Sequence, residues 1–304
     1  MRNITQEQAS TVIRQMHDYV RSTQDLVEDP TQLFLYHTLP HTIKVGSMAS
    51  HFAYGFGLDI TDAWAATIAA SGHDADIVTA IHETSDSPHP AFKLTRIRDI
   101  SGTTEDTSAE RVARACADVG IGQSDIEDIM AADKATTISF ENGEIRQPRI
   151  RESGNWVLNF VVAKPDIAHI IPLRTAKEKQ QIAIRLWLER YPQATAQLLD
   201  GTFSITDEDF EWIRGDLGYF LDEVQFQFAK SQYRQLFEDA ELCQLPARAM
   251  DFLAMTFSEK VQKKHIDTMY SIAGTVVASP TQVVRALNDA TAWLRQTRKY
   301  KHSS

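Results

Sequence analysis

The chain has 304 residues, 43% hydrophobic and 24% charged, with a net charge of −10. This is an ordinary globular composition with ample core for one large domain or two modest ones. The acidic balance argues against a nucleic-acid polymer as main partner, because such proteins usually present a basic surface. No apolar run approaches the ~20 residues that span a bilayer, and the start, from Met1 to Glu7, lacks the apolar core of a secretion signal. Two cysteines, Cys116 and Cys243, cannot make a disulfide framework and read as reduced core thiols. A cytoplasmic protein without a membrane partner is expected.

Helical periodicity dominates. Over residues 5–27, Ala9, Val12, Ile13, Met16 and Val20 share one stripe, and Thr5 and Gln8 are spaced as a capping box. Residues 40–56 predict a second helix with Pro40 in its first turn. Residues 61–71 are small and apolar nearly all round, the pattern of a central buried helix. Further helices are predicted at 108–119, 124–136, 152–171 and 175–191, the last two separated by Pro172. Residues 84–106, rich in Ser, Thr, Asp and Pro without a sustained period, predict a long functional lid or insertion. Residues 138–149 predict a small hairpin turning at Asn142-Gly143.

The C-terminal third predicts helices at 207–239, 246–259, 263–278 and 280–298. Its dense aromatics, including Phe210, Trp212, Tyr219 and Phe237, read as helix–helix packing. The expected fold class is all-α, with one small β-hairpin. A catalytic part of residues 1–203 carries a packed helical C-terminal extension, 204–304, with no clean linker between them.

Chemistry concentrates in three places. In LFLYHTLPHTIKV, residues 33–45, His37 and His41 are four apart and Lys44 three further on, a spacing that shares one helical face. Because Pro40 favours a helix start, His37 is placed in the preceding turn, leaning over the same spot. His73 and Asp74 follow Gly72 at the end of the small-residue helix, where adjacent imidazole and carboxylate can face one ion without distortion. Asp166 lies in the apolar stretch NFVVAKPDIAHI, where a lone carboxylate is expensive unless paired or metal-bound. A second His-Asp pair, His17-Asp18, has no histidine before it and lies in an ordinary amphipathic helix. Imidazole and carboxylate without thiolate suit a divalent ion such as Mn, Fe, Mg, Zn, Ni or Co. Lys44, Lys134, Lys93, Arg96 and Arg98 are candidate phosphate contacts. Only Lys44 has a positional argument, through His41.

On these residues the chain resembles the HD-domain metal-dependent phosphohydrolase superfamily. YHTLPHTIKV is similar to the Tyr-His-Asn-x-x-His-x-x-x-Val signature of cyclic-nucleotide phosphodiesterases and several small bacterial HD proteins. The segment from Thr104 to Ala109 is similar to the Asn-Glu-x-x-Ser-Ala start of the helix after the HD loop in the bacterial relatives. The resemblance covers roughly residues 33 to 170. It implies a helical HD bundle in which His41, His73, Asp74 and Asp166 bind metal. It further implies that His37 protonates the leaving alcohol, and that the substrate is a phosphomonoester or cyclic phosphodiester of a nucleotide.

Thr38 and Pro40 depart from the signature, and Ala75-Asp76 follows the HD pair where many relatives have Ile-Gly. Asp76 is similar to the second aspartate of the phosphodiesterases' His-Asp-x-Asp-His, but Ile77 stands where their next histidine would be, which leaves a second metal in question. His82 and Glu83, or His89, are candidate replacement ligands for that metal. The expected activity is therefore metal-dependent hydrolysis of a small-molecule phosphate ester. Two alternatives stay open: an HD-type di-iron oxygenase, which would need extra histidine ligands, His82 or His89, and a non-catalytic helical signalling or scaffold module that retains a metal site. A homodimer through the C-terminal helices is expected on base rates.

Overall fold

A computed structural model describes residues 2–77, 81–85, 89, 91–92, 94–98, 103–141, 144–168 and 175–297; at 30, 81–85, 94–98, 103, 140–141, 144–145, 166–168, 223–230 and 297 it describes the backbone alone. The protein is all-α, with two small antiparallel hairpins among the described residues. In the first half, helices α1 (Gln6–Leu26), α2 (Leu39–Phe56) and α3 (Ile60–Gly72) precede strands β1 (Ile81–Ser85) and β2 (Leu94–Arg98). Helices α4 (Thr103–Asp118) and α5 (Gln123–Lys134), strands β3 (Ser139–Glu141) and β4 (Glu144–Arg146) and helix α6 (Trp156–Ala168) follow. The second half is helical: α7 (Ala176–Arg190), α8 (Pro192–Asp200), α9 (Asp207–Tyr219), α10 (Gln225–Leu242), α11 (Ala247–Thr256), α12 (Glu259–Val276) and α13 (Pro280–Thr297).

Local chemistry sets most boundaries. Thr5 and Gln8 form both halves of a capping box on α1, as do Thr175 and Glu178 on α7 and Thr206 and Asp209 on α9. Asp59 caps α3 by accepting from the Thr61 and Asp62 N–H groups. Helix α2 carries Pro40 in its first turn and ends at Gly57, whose φ of 78° is the left-handed conformation that glycine adopts without penalty. The sequence reading missed α8, although Pro192 opens it and Gly201 closes it at φ 81°.

The hairpin expected over 138–149 is present as β3 paired with β4; its turn, residues 142–143, lies outside the described residues. The stretch expected as an irregular lid, 84–106, overlaps a second hairpin, with Ile81 opposite Arg98 and Ser85 opposite Leu94, and α4 begins within it at Thr103. The connecting residues His89 and Phe92 are buried against α9, where Phe92 stacks on Trp212 with ring centroids 4.6 Å apart.

Burial falls into two clusters that do not divide at residue 203. The first joins α1 to α6 and takes Tyr233 and Leu236 of α10 and Leu253 of α11. The second joins α7, α8, α9, α12 and α13, and takes Leu35 and Phe92 from the first half of the chain. A π-helical turn, Phe220–Val224, carries the chain between them. Both cysteines are buried and free, and burial pushes the Cys116 thiol to about 12, as expected of inert core thiols. No helix among the described residues is long and apolar enough to cross a membrane.

Helix α3 is the hub, buried from Ala63 to Gly72 along nearly its whole length. Its alanines and glycine let α2, α4 and α5 approach its backbone. Gly72 is the tightest point: a Cβ there would lie 2.1 Å from Val112 Cγ2 of α4. Gly72→Ala should therefore destabilise the protein by roughly 1–3 kcal/mol through overpacking. Adding Val112→Ala should recover part of that loss relative to Gly72→Ala alone, as measured by urea denaturation. A neutral Gly72→Ala would show that α4 is not packed against this backbone.

Candidate metal centre

His41 occupies the first turn of α2, and His73 caps the C-terminus of α3 with Asp74 next to it. The α2–α3 packing brings the three together. His41 Nε2 lies 2.9 Å from Asp74 Oδ2 and 3.3 Å from His73 Nε2, and His73 Nε2 lies 3.1 Å from the same oxygen. The side chains are 3%, 2% and 14% exposed for His41, His73 and Asp74. Among the described residues this is the one place where three His, Cys, Asp or Glu side chains bring ligand atoms within 4.8 Å of one another.

The contacts are close, yet among the described residues Asp74 Oδ2 receives no aligned hydrogen bond. His73 Nδ1 lies 2.8 Å from the Ala70 carbonyl, so in the neutral ring Nδ1–H donates there and the Nε2 lone pair faces the triangle. Three lone-pair donors at about 3 Å mutual spacing match neighbouring ligands around an ion with bonds of ~2.0–2.2 Å. The donor set, two imidazoles and a carboxylate, fits a divalent transition ion. Burial opposes ionisation of Asp74, but the charge of His73 and the contact with His41 hold its carboxyl well below the usual range.

Asp133, in the last turn of α5, was not anticipated. It is 0% exposed, and among the described residues neither carboxylate oxygen has a hydrogen-bond partner. A Cβ on Gly72 would stand 3.4 Å from Asp133 Oδ2, so the carboxylate lies against the backbone that carries the HD pair. Burial lifts its pKa well above the usual carboxylate range; His73 opposes the shift, while Asp74 and Glu105 add to it. An orphaned buried carboxyl beside the triangle is the acid expected where a cation's charge is to be balanced. Asp166, the aspartate expected in this role, lies in the last turn of α6, and its side chain is outside the described residues.

His37 stands beside the triangle, its ring centroid 5.6 Å from that of His41. Its Nδ1 is 3.1 Å from Oε2 of Glu189, on α7, which is buried. The other Glu189 oxygen accepts from the backbone N–H groups of Leu35, Tyr36 and His37 at 2.8, 2.5 and 3.2 Å. Burial would raise the Glu189 pKa, but His37 and these N–H groups bring it below the usual carboxylate value. Glu189 comes from a distant part of the chain, so no local spacing signalled it.

Lys44 is exposed and, with His41 and Tyr36, lines a groove of about 240 Å³. Arg185 of α7 lines the same groove, its Nε donating to the Ala290 carbonyl at 3.3 Å. The remaining candidates are used otherwise or lie outside the description. Asp76 accepts from Tyr19 at 2.7 Å and from Arg111 at 2.8 Å, and the Arg111 guanidinium lies over the Tyr19 ring. His89 packs 5.0 Å from Trp212, with Asp209 3.6 Å away. Lys134 pairs with Asp106 at 3.0 Å. Lys93 and the side chains of His82, Glu83, Arg96 and Arg98 lie outside the described residues. Of the second His-Asp pair, Asp18 is exposed and pairs with Arg21 at 3.1 Å, while His17 is half-buried and burial lowers its pKa.

Comparison of the chain with protein-family models, with curated proteins and with solved structures finds no match in any of the three.

The raised Asp133 pKa has a pH signature. A carboxyl whose folded pKa lies above its unfolded value binds its proton more tightly in the folded state, so metal-free stability falls as pH rises from the unfolded value of about 4 toward the folded one. Asp133→Asn removes that loss. In thermal denaturation of metal-free protein, the variant should gain stability relative to the parent on going from pH 4.5 to pH 7.5. A constant difference would contradict the shift.

Proposed function

We propose that the chain is a metal-dependent phosphohydrolase of the HD type, acting on a small phosphomonoester or cyclic phosphodiester, with a nucleotide as the substrate class. The observation that carries this reading is the 2.9, 3.1 and 3.3 Å triangle of His41, Asp74 and His73 donor atoms. These three residues would hold a divalent ion, with Asp133 as the adjoining carboxylate. When bound, such an ion supplies an activated water and polarises a phosphoryl oxygen.

The chain's own residues supply the rest. Glu189 holds Nδ1 of His37, which leaves Nε2 to deliver a proton to the departing oxygen; the geometry is that of a carboxylate-oriented imidazole acid. Lys44 and Arg185 border the groove at His41 and supply positive charge for the equatorial oxygens of a phosphoryl group. Asp76, held by Arg111 and Tyr19, is committed to the α1–α4 contact. His89, one of the extra ligands an oxygenase would need, is packed on Trp212. Neither observation favours a second reading.

With Mn, Mg, Fe, Ni, Co or Zn supplied in turn, purified protein should hydrolyse a generic aryl phosphate or a cyclic nucleotide. His73→Ala and Asp74→Ala should abolish both metal retention and turnover. Glu189→Gln and His37→Ala should keep the metal and lower kcat by roughly 10²- to 10⁴-fold, the usual contribution of a positioned acid. Hydrolysis that survives His73→Ala would refute the assignment, as would absence of turnover with every metal.

A further inference from the structure

Helix α7 lays one stripe of side chains along the groove at His41. Glu178, Gln181, Ile182 and Arg185 all line it, at the three- and four-residue spacings that share a helical face. Glu189, four positions after Arg185, continues the stripe and holds His37. Arg185 therefore stands one helical turn, about 6 Å along the axis, from the residue that orients the imidazole. Two contacts with α13 fix it there. Its Nε donates to the Ala290 carbonyl at 3.3 Å, and its guanidinium carbon lies 5.4 Å from the centre of the Trp293 ring.

Arg185 is half-buried, yet among the described residues no carboxylate pairs with it and its two terminal NH2 groups have no hydrogen-bond partner. A guanidinium drawn out of water is ordinarily paired, and its planar fork matches a phosphate through two parallel donors. The carboxylate of the groove does not meet that need. Glu178 lies about two turns from Arg185 along α7, and one of its oxygens accepts from the N–H and hydroxyl of Thr175 in the helix cap at 2.9 and 3.0 Å. Lys44 stands three positions after His41 on α2, the place from which an ammonium serves a phosphoryl group at the metal centre. One cation beside the reacting group and a second, unpaired, on the facing helix exceed what a single phosphate requires.

Resting on the hydrolase reading above, we infer that the substrate is a nucleotide carrying a second phosphate, a nucleoside bisphosphate, with one phosphoryl group at the metal centre beside Lys44 and the other held in the fork of Arg185. Hydrolysis adds one water across the P–O bond of the first group. It releases inorganic phosphate and a nucleoside monophosphate, whose new hydroxyl takes its proton from His37, which regains one from the water.

Steady-state hydrolysis of adenosine 3′,5′-bisphosphate, 3′-AMP and 5′-AMP by metal-supplied protein tests this, beside calorimetry of the bisphosphate on the His73→Ala variant without metal. The bisphosphate should show a kcat/KM roughly tenfold or more above either monophosphate, as a charged hydrogen-bonded pair contributes. Arg185→Gln should erase that preference, mainly through KM. Arg185→Lys should restore only part of it, because an ammonium lacks the two parallel donors. In the His73→Ala background, Arg185→Gln should weaken bisphosphate binding by a similar factor. A bisphosphate no better than the monophosphates, a preference that survives Arg185→Gln, or binding indifferent to that substitution would each overturn the inference. If no ester is cleaved while Arg185-dependent binding remains, the hydrolase reading fails and the phosphate subsite stands.

Discussion

Two imidazoles and a carboxylate face each other at about 3 Å inside a nearly closed seam between α2 and α3. Such an arrangement is unfavourable for its own sake, because lone pairs repel and burial deprives Asp74 of water. The surrounding helices impose it. His41 is fixed at the start of α2 by Pro40, and His73 by its bond to the Ala70 carbonyl. Small residues along α3 let its neighbours come close enough for the donors to meet. Asp133 extends the same logic, since a second buried carboxyl with no hydrogen-bond partner among the described residues is tolerable only where something positive or a proton balances it.

The second core reaches the His37 side of this centre through Glu189. Glu189 reaches from α7 to the segment between α1 and α2, where it accepts three backbone N–H groups and the His37 ring. A carboxylate so surrounded orients the imidazole rigidly. It also joins the two buried clusters, because Leu35 in that segment is itself packed into the second one. Helix α7 thus serves both halves: its capping box starts it, its buried face holds the C-terminal helices, its Arg185 lines the groove and its Glu189 holds His37.

What the amino-acid order made legible follows the range of the forces involved. Caps such as Thr5 with Gln8 and Thr175 with Glu178 are local, and the helices they start were readable. The His41, His73 and Asp74 convergence was readable because each has a local signature at a helix end. Glu189 was not, since its partners lie more than 150 positions away and nothing near it in sequence marks it. Asp133 was hidden for a different reason: it follows Glu127 and Asp128 in an amphipathic helix and looks like another solvated acid until Gly72 is seen beside it. The β1–β2 hairpin was missed because its strands carry little period-2 apolar alternation and a proline-bearing segment joins them.

The most direct test of the central claim is X-ray absorption at the metal edge of protein loaded with one equivalent of Mn, Zn or Fe. Convergence of His41, His73 and Asp74 predicts a first shell containing two imidazole nitrogens, with the imidazole scattering lost in the double variant His41→Ala, His73→Ala. A shell of oxygens alone, or a spectrum the double variant leaves unchanged, would contradict it.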